Sequence, residues 1–182
     1  MKVFRVEFET NDYQSLLASD DSVHENQLLA FDGAPKKKAW GQSLLAELDN
    51  ENASTPDIFD LGAGNMLLYG RSLELLSSYL NSNDELLPVH WGKANTGYCI
   101  NPLQLHNCID SSNSEWCIDD ESGKKLFIEK FVFHKSEIPN SLVFKDKLES
   151  FELLTTDAEG ALKNIVNKYK LTGVSFELLW EG

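Results

Sequence analysis

The chain has 182 residues, of which 42% are hydrophobic and 25% charged, proportions that are ordinary for a globular protein of about one domain. Its 29 acidic residues exceed its 16 basic ones, which gives a net charge of -13. A surface of this sign repels nucleic acid and anionic membranes, so we expect it to bind neither, and it attracts basic partners.

The first residues resemble a strand rather than a targeting segment. Residues 1–7 alternate between apolar and polar side chains and lack the apolar core of a signal peptide. No apolar run approaches the roughly 18 residues that span a membrane. Cys99, Cys108 and Cys117 are an odd set without a CxxC pair, which indicates free thiols. We therefore expect a cytoplasmic protein.

The N-terminal part predicts a strand followed by a short helix. Residues 3–8 alternate, which places Phe4, Val6 and Phe8 on one face of a strand. Asn11 or Asp12 would then cap a short helix that runs through residues 16–17.

Three polar segments of the first 60 residues predict exposed loops. Residues 19–26 are almost entirely polar, and the three lysines at 36–38 follow a turn signal. Residues 47–60 contain five acids and no base. Such a charge run favours a solvated loop, although it also suits a face that binds a basic partner.

The central part predicts a helix between short strands. Residues 66–69 form a short strand, and residues 71–80 form a helix with a broad leucine stripe and Ser72 as its cap. Residues 86–91 predict a further strand, which Pro88 would confine to a sheet edge or a bulge.

The second half predicts many short strands, a hairpin and a final helix. The acidic turn at residues 119–123 joins two of these strands. Thr156 and Glu159 fit a capping box that starts a helix ending near Tyr169. The predicted strands are at residues 98–100, 116–118, 126–128, 131–133, 142–144, 151–154 and 174–180. These elements predict an α+β fold, with a twisted, mostly antiparallel sheet of short strands and two or three packed helices.

No motif for catalysis, a cofactor or a metal is evident. The chain lacks a serine-hydrolase elbow, a P-loop and a zinc-protease helix motif. The closest approach to a metal-ligand set is His90, Cys99, His106 and Cys108, but zinc ligands usually occur in closely spaced pairs. A cysteine–histidine pair would need an electropositive setting, whereas acids surround these cysteines. We expect no catalytic residue, cofactor or metal, and the sequence leaves open only a pair of carboxylates that the fold brings together.

The four tryptophans are first of all candidates for the core. They are Trp40, Trp91, Trp116 and Trp180. Trp40 and Trp91 stand beside Lys38 and His90, and each precedes a glycine, so they also suit aromatic anchors on a binding face.

Landmarks in residues 57–180 resemble those of immunity protein family eleven, which accompanies bacterial polymorphic and contact-delivered toxins. The family's tyrosine-x-x-asparagine, its following isoleucine–aspartate, and its closing leucine-x-glycine-x-x-phenylalanine all have counterparts. The matching residues are Tyr98, Asn101, Ile109, Asp110, Leu171, Gly173 and Phe176. The aromatic–arginine pair usual before the last helix is replaced by residues 142–145.

The length predicts a single domain over residues 1–182, with 1–56 as a less certain N-terminal part and 57–182 as the family-like part. The resemblance implies a cytoplasmic protein that binds a cognate toxin domain and blocks it without chemistry, and the acidic charge suits a basic toxin that acts on nucleic acid. It leaves open whether the protein forms a homodimer. The candidate partner-binding residues are Trp40, Asp49, Glu51, Asp57, Asp60, Trp91, Asp110, Glu115, Asp119, Asp120 and Glu121. The alternatives are a small cytoplasmic enzyme, which predicts a deep pocket, and an adaptor subunit of a secretion or regulatory assembly, which predicts a large apolar patch.

Overall fold

A computed structural model describes residues 1–20, Val23 and residues 27–182. Most of the polar loop predicted at residues 19–26, including His24, lies outside the described residues. Within the described part, the predicted α+β class with a mostly antiparallel sheet is confirmed. The strands there are β1 (Lys2–Phe8), β2 (Ser15–Ala18), β3 (Leu44–Asp49), β4 (Ile58–Asp60), β5 (Met66–Leu68), β6 (Glu85–Trp91), β7 (Asn95–Asn101), β8 (Leu105–His106), β9 (Glu115–Ile118), β10 (Lys125–Lys130), β11 (Lys145–Asp146), β12 (Leu154–Thr156) and β13 (Val174–Glu181). The helices there are α1 (Lys37–Trp40), α2 (Arg71–Leu76) and α3 (Leu162–Tyr169), with 3₁₀ turns at Ser77–Tyr79 and Lys135–Glu137.

The largest sheet has six strands in the order β2-β3-β6-β7-β5-β4. All its neighbouring strands are antiparallel except β3 and β6. Residues next to its two edge strands also meet, since Tyr13 and Ser54 form a parallel bridge. The sheet therefore curls until its edges approach each other.

Pro88 lies inside this sheet, so the predicted edge or bulge position is wrong. Its strand β6 has β3 on one side and β7 on the other, although β3 pairs only with residues 89–91. The Pro88 carbonyl accepts the indole N–H of Trp40 at 2.8 Å. Because the N and C=O of a strand residue point to the same side, the missing N–H also faces Trp40 and interrupts no strand pairing.

The helix-side core joins one face of the six-stranded sheet to α2, α3 and the strands β1 and β13. In α3, apolar residues recur at helical spacing and turn Leu162, Ile165 and Val166 inward. The helix ends at Lys170, which has the left-handed conformation (φ 54°) typical of a helix C-terminus. The buried members of this core are Val6, Ile58, Met66, Leu68, Leu76, Ile100, Leu142, Val143, Leu153, Leu162, Ile165, Val166, Leu171 and Val174.

The tryptophan-side core fills the opposite face, inside the curled sheet. Alternation along the strands sends Leu67 to this face and Met66 and Leu68 to the other. Phe31 and Trp40 cover it, with their ring centroids 6.1 Å apart. Its buried members are Leu16, Val23, Leu29, Phe31, Trp40, Leu44, Ala46, Phe59, Leu61, Leu67, Leu87, Val89, Trp91 and Cys99.

A second sheet has three antiparallel strands in the order β12-β1-β13. The predicted face of β1 is confirmed, because Val6 and Phe8 pack into the helix-side core and the Lys163 ammonium of α3 lies over the Phe4 ring. Val3 faces a third core, which we call the arm-side core because most of its members come from residues 108–134, a segment described below as the arm. Its buried members are Val3, Cys108, Ile109, Ile128, Phe131, Phe133, Ile138, Phe144 and Leu154.

The predicted helix at residues 11–17 is wrong. Residues 15–18 form the edge strand β2, which pairs with β3 from Ser15↔Asp49 to Ala18↔Ala46. Leu16 is fully buried in the tryptophan-side core while Leu17 is 49% exposed. This alternation of buried and exposed residues suits a strand that covers the core. A segment of four residues does not determine its own secondary structure, so the pairing with β3 determines it.

The capping box predicted for the last helix is also wrong. Thr156 belongs to β12 and is buried, and α3 begins later, with Ala161 as a cap residue that makes no side-chain bond. The Thr156 hydroxyl accepts the N–H of Ala158 at 3.2 Å, which closes a turn instead of starting a helix. The prediction that Ser72 caps the central helix is also wrong, because Gly70 is the N-cap residue of α2 and Ser72 is buried within the helix.

Several other segments differ from their predictions. Residues 47–49 belong to β3, so the acidic loop spans only residues 50–57. Lys37 and Lys38 lie in the one-turn helix α1. The strands predicted at residues 131–133 and 142–144 are reduced to isolated bridges at Phe133 and Phe144. None of the helices in the described part of the chain is long and apolar enough to cross a membrane.

Candidate functional site

The two tryptophans predicted as surface anchors are core residues. Trp40 and Trp91 are each only 4% exposed. The Trp91 ring packs against Tyr69 at 5.0 Å and against Phe59 at 5.5 Å between centroids. Because this packing leaves almost no accessible surface, the prediction of anchors at these two positions is corrected in favour of the core alternative.

The acids of residues 47–60 separate into exposed and structural groups. Asp49 and Glu51 are exposed at the end of β3 and in the following turn. Asp57 is half-buried, and its carboxylate accepts the backbone N–H and the hydroxyl of Thr172 at 3.0 and 3.1 Å. Asp57 thus ties the loop before β4 to the loop after α3, which gives it a structural role.

Asp60 lies at the end of β4, half-buried beside the turn at residues 62–65. Its Oδ1 atom is buried and has no hydrogen-bond partner among the residues that the structure describes. Burial raises the pKa of the Asp60 carboxyl to about 6, although the nearby backbone N–H groups of Gly62, Asn65 and Gly64 favour its charged form. A half-buried carboxyl of this kind is better suited to make the stability of the protein depend on pH than to contact a partner.

A twisted β-ribbon, which we call the arm (residues 108–134), carries the second acidic segment. Its outer part is the β9–β10 hairpin, and these two strands pair with no other strand in the described part of the chain. Its base is held by the bridge between Ile109 and Phe133, where Asp110 also donates its N–H to the Val132 carbonyl.

Buried polar groups fix the base of the arm to the body of the protein. The Asp146 carboxylate, which is fully buried, accepts the N–H groups of Cys108 at 2.7 Å and Ile109 at 3.1 Å. Within the arm, the Ser114 hydroxyl donates to the Asp110 carbonyl and accepts the N–H of Val132 at 3.0 Å, which joins the two sides of the ribbon near its base. These bonds orient the arm before any partner is bound.

Several acids of the arm stabilise its turns. Asp110 accepts hydrogen bonds from Asn113 and Ser112, and the Asn113 amide holds the pKa of the Asp110 carboxyl below its usual value. Asp119 accepts the hydroxyl and the N–H of Ser122 within the hairpin turn, and the hydroxyl bond lowers the pKa of Asp119. Both acids are therefore charged and fixed in position.

The other acids of the arm point to its surface. Glu115 is exposed and pairs with Lys130 across the hairpin at 2.6 Å. Asp120 and Glu121 are exposed at the tip, and neither lies within 4.0 Å of a basic side chain of the described residues. The two acidic segments belong to different sheets, so the structure does not merge them into one continuous strand surface.

The sequence did not reveal three exposed apolar residues on the arm. Ile118, Leu126 and Phe127 are 46, 57 and 56% exposed. In the hairpin, Phe127 pairs with Cys117 while Ile128 pairs with Trp116, whose side chains pack toward the arm-side core. The only signal in the sequence for this exposure was the adjacent apolar pair Leu126–Phe127 beside an acidic turn. Successive residues of a strand point to opposite faces, so such a pair usually sends only one residue inward.

The residues considered for nucleophilic or metal chemistry lie apart. Cys99 is in the tryptophan-side core and Cys108 in the arm-side core. Burial raises the pKa of both thiols, so both are protonated at neutral pH. Among the described residues, no three His, Cys, Asp or Glu side chains are gathered as a metal ion would require.

Two concave surfaces in the described part of the chain flank Tyr79. Their volumes are about 520 and 460 Å³, and both are lined by Tyr79 and Glu159. Polar groups around them already make structural bonds: Asp157 accepts the Lys2 N–H at 2.9 Å, and the Asn164 amide donates to the carbonyls of residues 157 and 158. The polar groups around these two surfaces therefore hold the chain in place at the start of α3.

The landmark residues that resemble the immunity family make contacts inside the protein. The buried Asn101 amide donates to the Ala34 carbonyl at 3.0 Å and to Glu85 at 2.9 Å. Gly173 has φ 98°, and a Cβ there would overlap the Ile58 carbonyl. Ile109 and Leu171 are core residues. These landmarks therefore report on folding, and the arm surface is a separate feature.

Comparison with known proteins found no matching family model and no matching curated protein.

Proposed function

We propose that this protein is a cytoplasmic immunity protein that binds a cognate bacterial toxin domain and blocks it by occlusion, without catalysis. The observation that carries the proposal is the arm, on which exposed acids and exposed apolar residues occur together on a fixed ribbon. The family resemblance of residues 57–180 suggests the same role. No single acid of the arm is required to react, since occlusion needs only a stable complex.

The excess negative charge supports rapid binding to a basic toxin. A net charge of -13 creates a field that attracts a positively charged domain from a distance. Such steering raises association rates by about ten- to a thousandfold at low salt. A toxin that acts on nucleic acid has a basic surface, because it must hold phosphate groups. An acidic inhibitor is therefore suited to reach that surface before the substrate does.

Exposed apolar residues supply the part of the affinity that salt does not screen. Contacts of Leu126 and Phe127 would bury surface that now faces water, which is favourable at about 25 cal/mol per Å² of apolar area before the costs of association. A stable interface buries about 800 Å² on each partner, so the hairpin would form the centre of a larger contact.

The test is co-expression with the protein encoded directly upstream. We expect growth rescue in cells that make that protein and co-purification of a complex from the same cells. A toxin from an unrelated system serves as the control and should neither be rescued nor co-purify. If the upstream protein is toxic, yet this chain neither restores growth nor forms a complex with it, the proposed pairing is wrong.

A further inference from the structure

We propose that the arm is the element that docks, and that it enters a basic cleft of the toxin domain, the cleft that holds the toxin's own polyanionic substrate. This inference rests on the function proposed above. It specifies which surface binds and what chemistry the partner presents.

The first argument is the shape of the arm. The β9–β10 hairpin pairs only with itself among the described strands and extends beyond the bonds at its base. A two-stranded hairpin is marginally stable by itself in water, so its attachment through Asp146, and through Trp116 and Ile128 in the arm-side core, is needed to hold it. A fixed hairpin that pairs with no other described strand is suited to enter a concave site.

The second argument is the exposure of apolar residues on the arm. Ile118, Leu126 and Phe127 are each about half exposed, and they occur within one short hairpin. Apolar groups that remain in contact with water on a prefixed element are typical of binding sites. A cleft with apolar walls or aliphatic lysine and arginine stems would cover them.

The third argument is an uneven distribution of charge along the arm. Residues 110–121 contain five acids and no base, whereas residues 122–134 contain three lysines and one glutamate. Two of the lysines are engaged within the arm, because Lys130 pairs with Glu115 and the Lys125 ammonium lies 4.5 Å from the centre of the Trp116 ring. The pair with Lys130 also neutralises Glu115, so the acidic surface that remains is the tip at residues 119–121, which fits a basic partner.

These arguments together identify the occupant of the arm surface as a basic cleft. A cleft that binds a polyanion is lined by lysine and arginine side chains that focus a positive field. Asp120 and Glu121 at the tip would meet these side chains, while Leu126 and Phe127 pack against the wall. Binding would then exclude the substrate.

The experiment measures the affinity of purified variants for the inactivated upstream toxin domain. Asp120→Lys with Glu121→Lys changes the tip, and Glu47→Lys with Glu74→Lys is the matched control, because both pairs replace exposed acids and give the same net charge. Phe127→Ser tests the apolar contact, and Leu45→Ser is its control, because Leu45 is 63% exposed on β3. Circular dichroism establishes that each variant is folded.

We expect at least a tenfold loss of affinity for both arm variants and less than a threefold loss for both controls. Heparin, as a surrogate polyanion, should compete with the wild-type protein for the toxin domain. If the wild type binds and rescues growth but the arm and control variants lose affinity equally, or if heparin joins a ternary complex, the arm inference is overturned while the proposed function stands. If the wild type neither binds nor rescues, the proposed function fails and the inference fails with it.

Discussion

Asp57 and Thr172 are 115 positions apart in the chain and are joined by three hydrogen bonds. The Asp57 carboxylate accepts the N–H and the hydroxyl of Thr172, and the Thr172 hydroxyl accepts the N–H of Asp57 at 3.1 Å. This contact holds the N-terminal acidic segment against the loop that precedes β13.

Replacement of Asp57 should therefore lower stability more than replacement of an exposed acid of the same segment. Asp57→Ala removes two hydrogen bonds to a carboxylate and leaves the Thr172 N–H unpaired, so we expect a loss of about 2–3 kcal/mol. Urea denaturation measures the free energy of unfolding. Glu51→Ala is the control and should change it by less than about 0.5 kcal/mol, since Glu51 is exposed. Equal effects of the two substitutions would show that the contact is not formed.

Gly173→Ala should be among the most destabilising small substitutions in the protein. Residue 173 has φ 98°, and an added Cβ would collide with the Ile58 carbonyl and with Pro56. We expect a loss of more than about 3 kcal/mol or failure to fold, because backbone strain and overlap add.

The matched control for this substitution is Gly64→Ala. Gly64 has φ 71°, and a Cβ there meets no atom within 4 Å. Left-handed strain alone costs about 1–2 kcal/mol, so the control isolates the contribution of the overlap. Thermal unfolding of both variants tests this, and similar melting temperatures would contradict the close approach of Gly173 to β4.

The stability of the protein should depend on pH through Asp60. Burial raises the pKa of this carboxyl to about 6 in the folded state, above the value of 3.8 for an unperturbed aspartate. Between these values the folded protein binds a proton that the unfolded chain has released, so the contribution is present below pH 3.8 and is lost as pH rises through 6. Its size is about 2–3 kcal/mol at one pKa unit per 1.36 kcal/mol.

Asp60→Asn removes this titration while retaining a group of the same shape. We expect the variant to gain stability relative to the wild type as pH rises from 4 to 7, because only the wild type must bury a charge. Urea denaturation at several pH values measures the difference, and titrations shared by both proteins cancel. A flat difference for Asp60→Asn would place its carboxyl in water.

The three cysteines should differ in their reactivity in the native protein. Cys99 and Cys108 have no accessible surface, and burial raises the pKa of both, whereas Cys117 is half-buried on the arm. A thiol reagent at pH 8 should modify Cys117 first and the other two only after unfolding. Mass spectrometry of labelled peptides identifies the site, with Cys117→Ser as the control. Early modification of Cys99 in the folded protein would contradict the tryptophan-side core.

The arm explains why the candidate binding residues could be predicted only in part. The acidic composition of residues 110–121 marked a candidate surface directly, since runs of one charge are rarely buried. The exposure of Leu126 and Phe127 could not be inferred, because apolar residues in a predicted strand normally face a core. Whether an acid is free or structural was equally hidden: Asp57 resembles Asp49 in sequence, but its partner Thr172 lies 115 positions away, and the burial of Asp60 is a property of the folded structure.

Local signals in the sequence determined much of the secondary structure. The alternation of β1 and of residues 174–180, the turn at residues 119–123, and the apolar stripe of α3 specify their elements through side-chain periodicity and turn chemistry, which act over a few residues. The acidic charge of the protein was also fixed by composition alone.

Only the tertiary structure decided the remaining features. Residues 15–18 became a strand because β3 offered a pairing edge, and Thr156 became a β12 residue because β1 lay beside it. Pro88 is tolerated inside a sheet because Trp40, and not a neighbouring strand, lies on the side to which a backbone N–H at residue 88 would point. The Trp40 indole N–H donates to the Pro88 carbonyl on that side. In each case the deciding contact joins residues 28 to 153 positions apart, and a local pattern contains no information about such a partner.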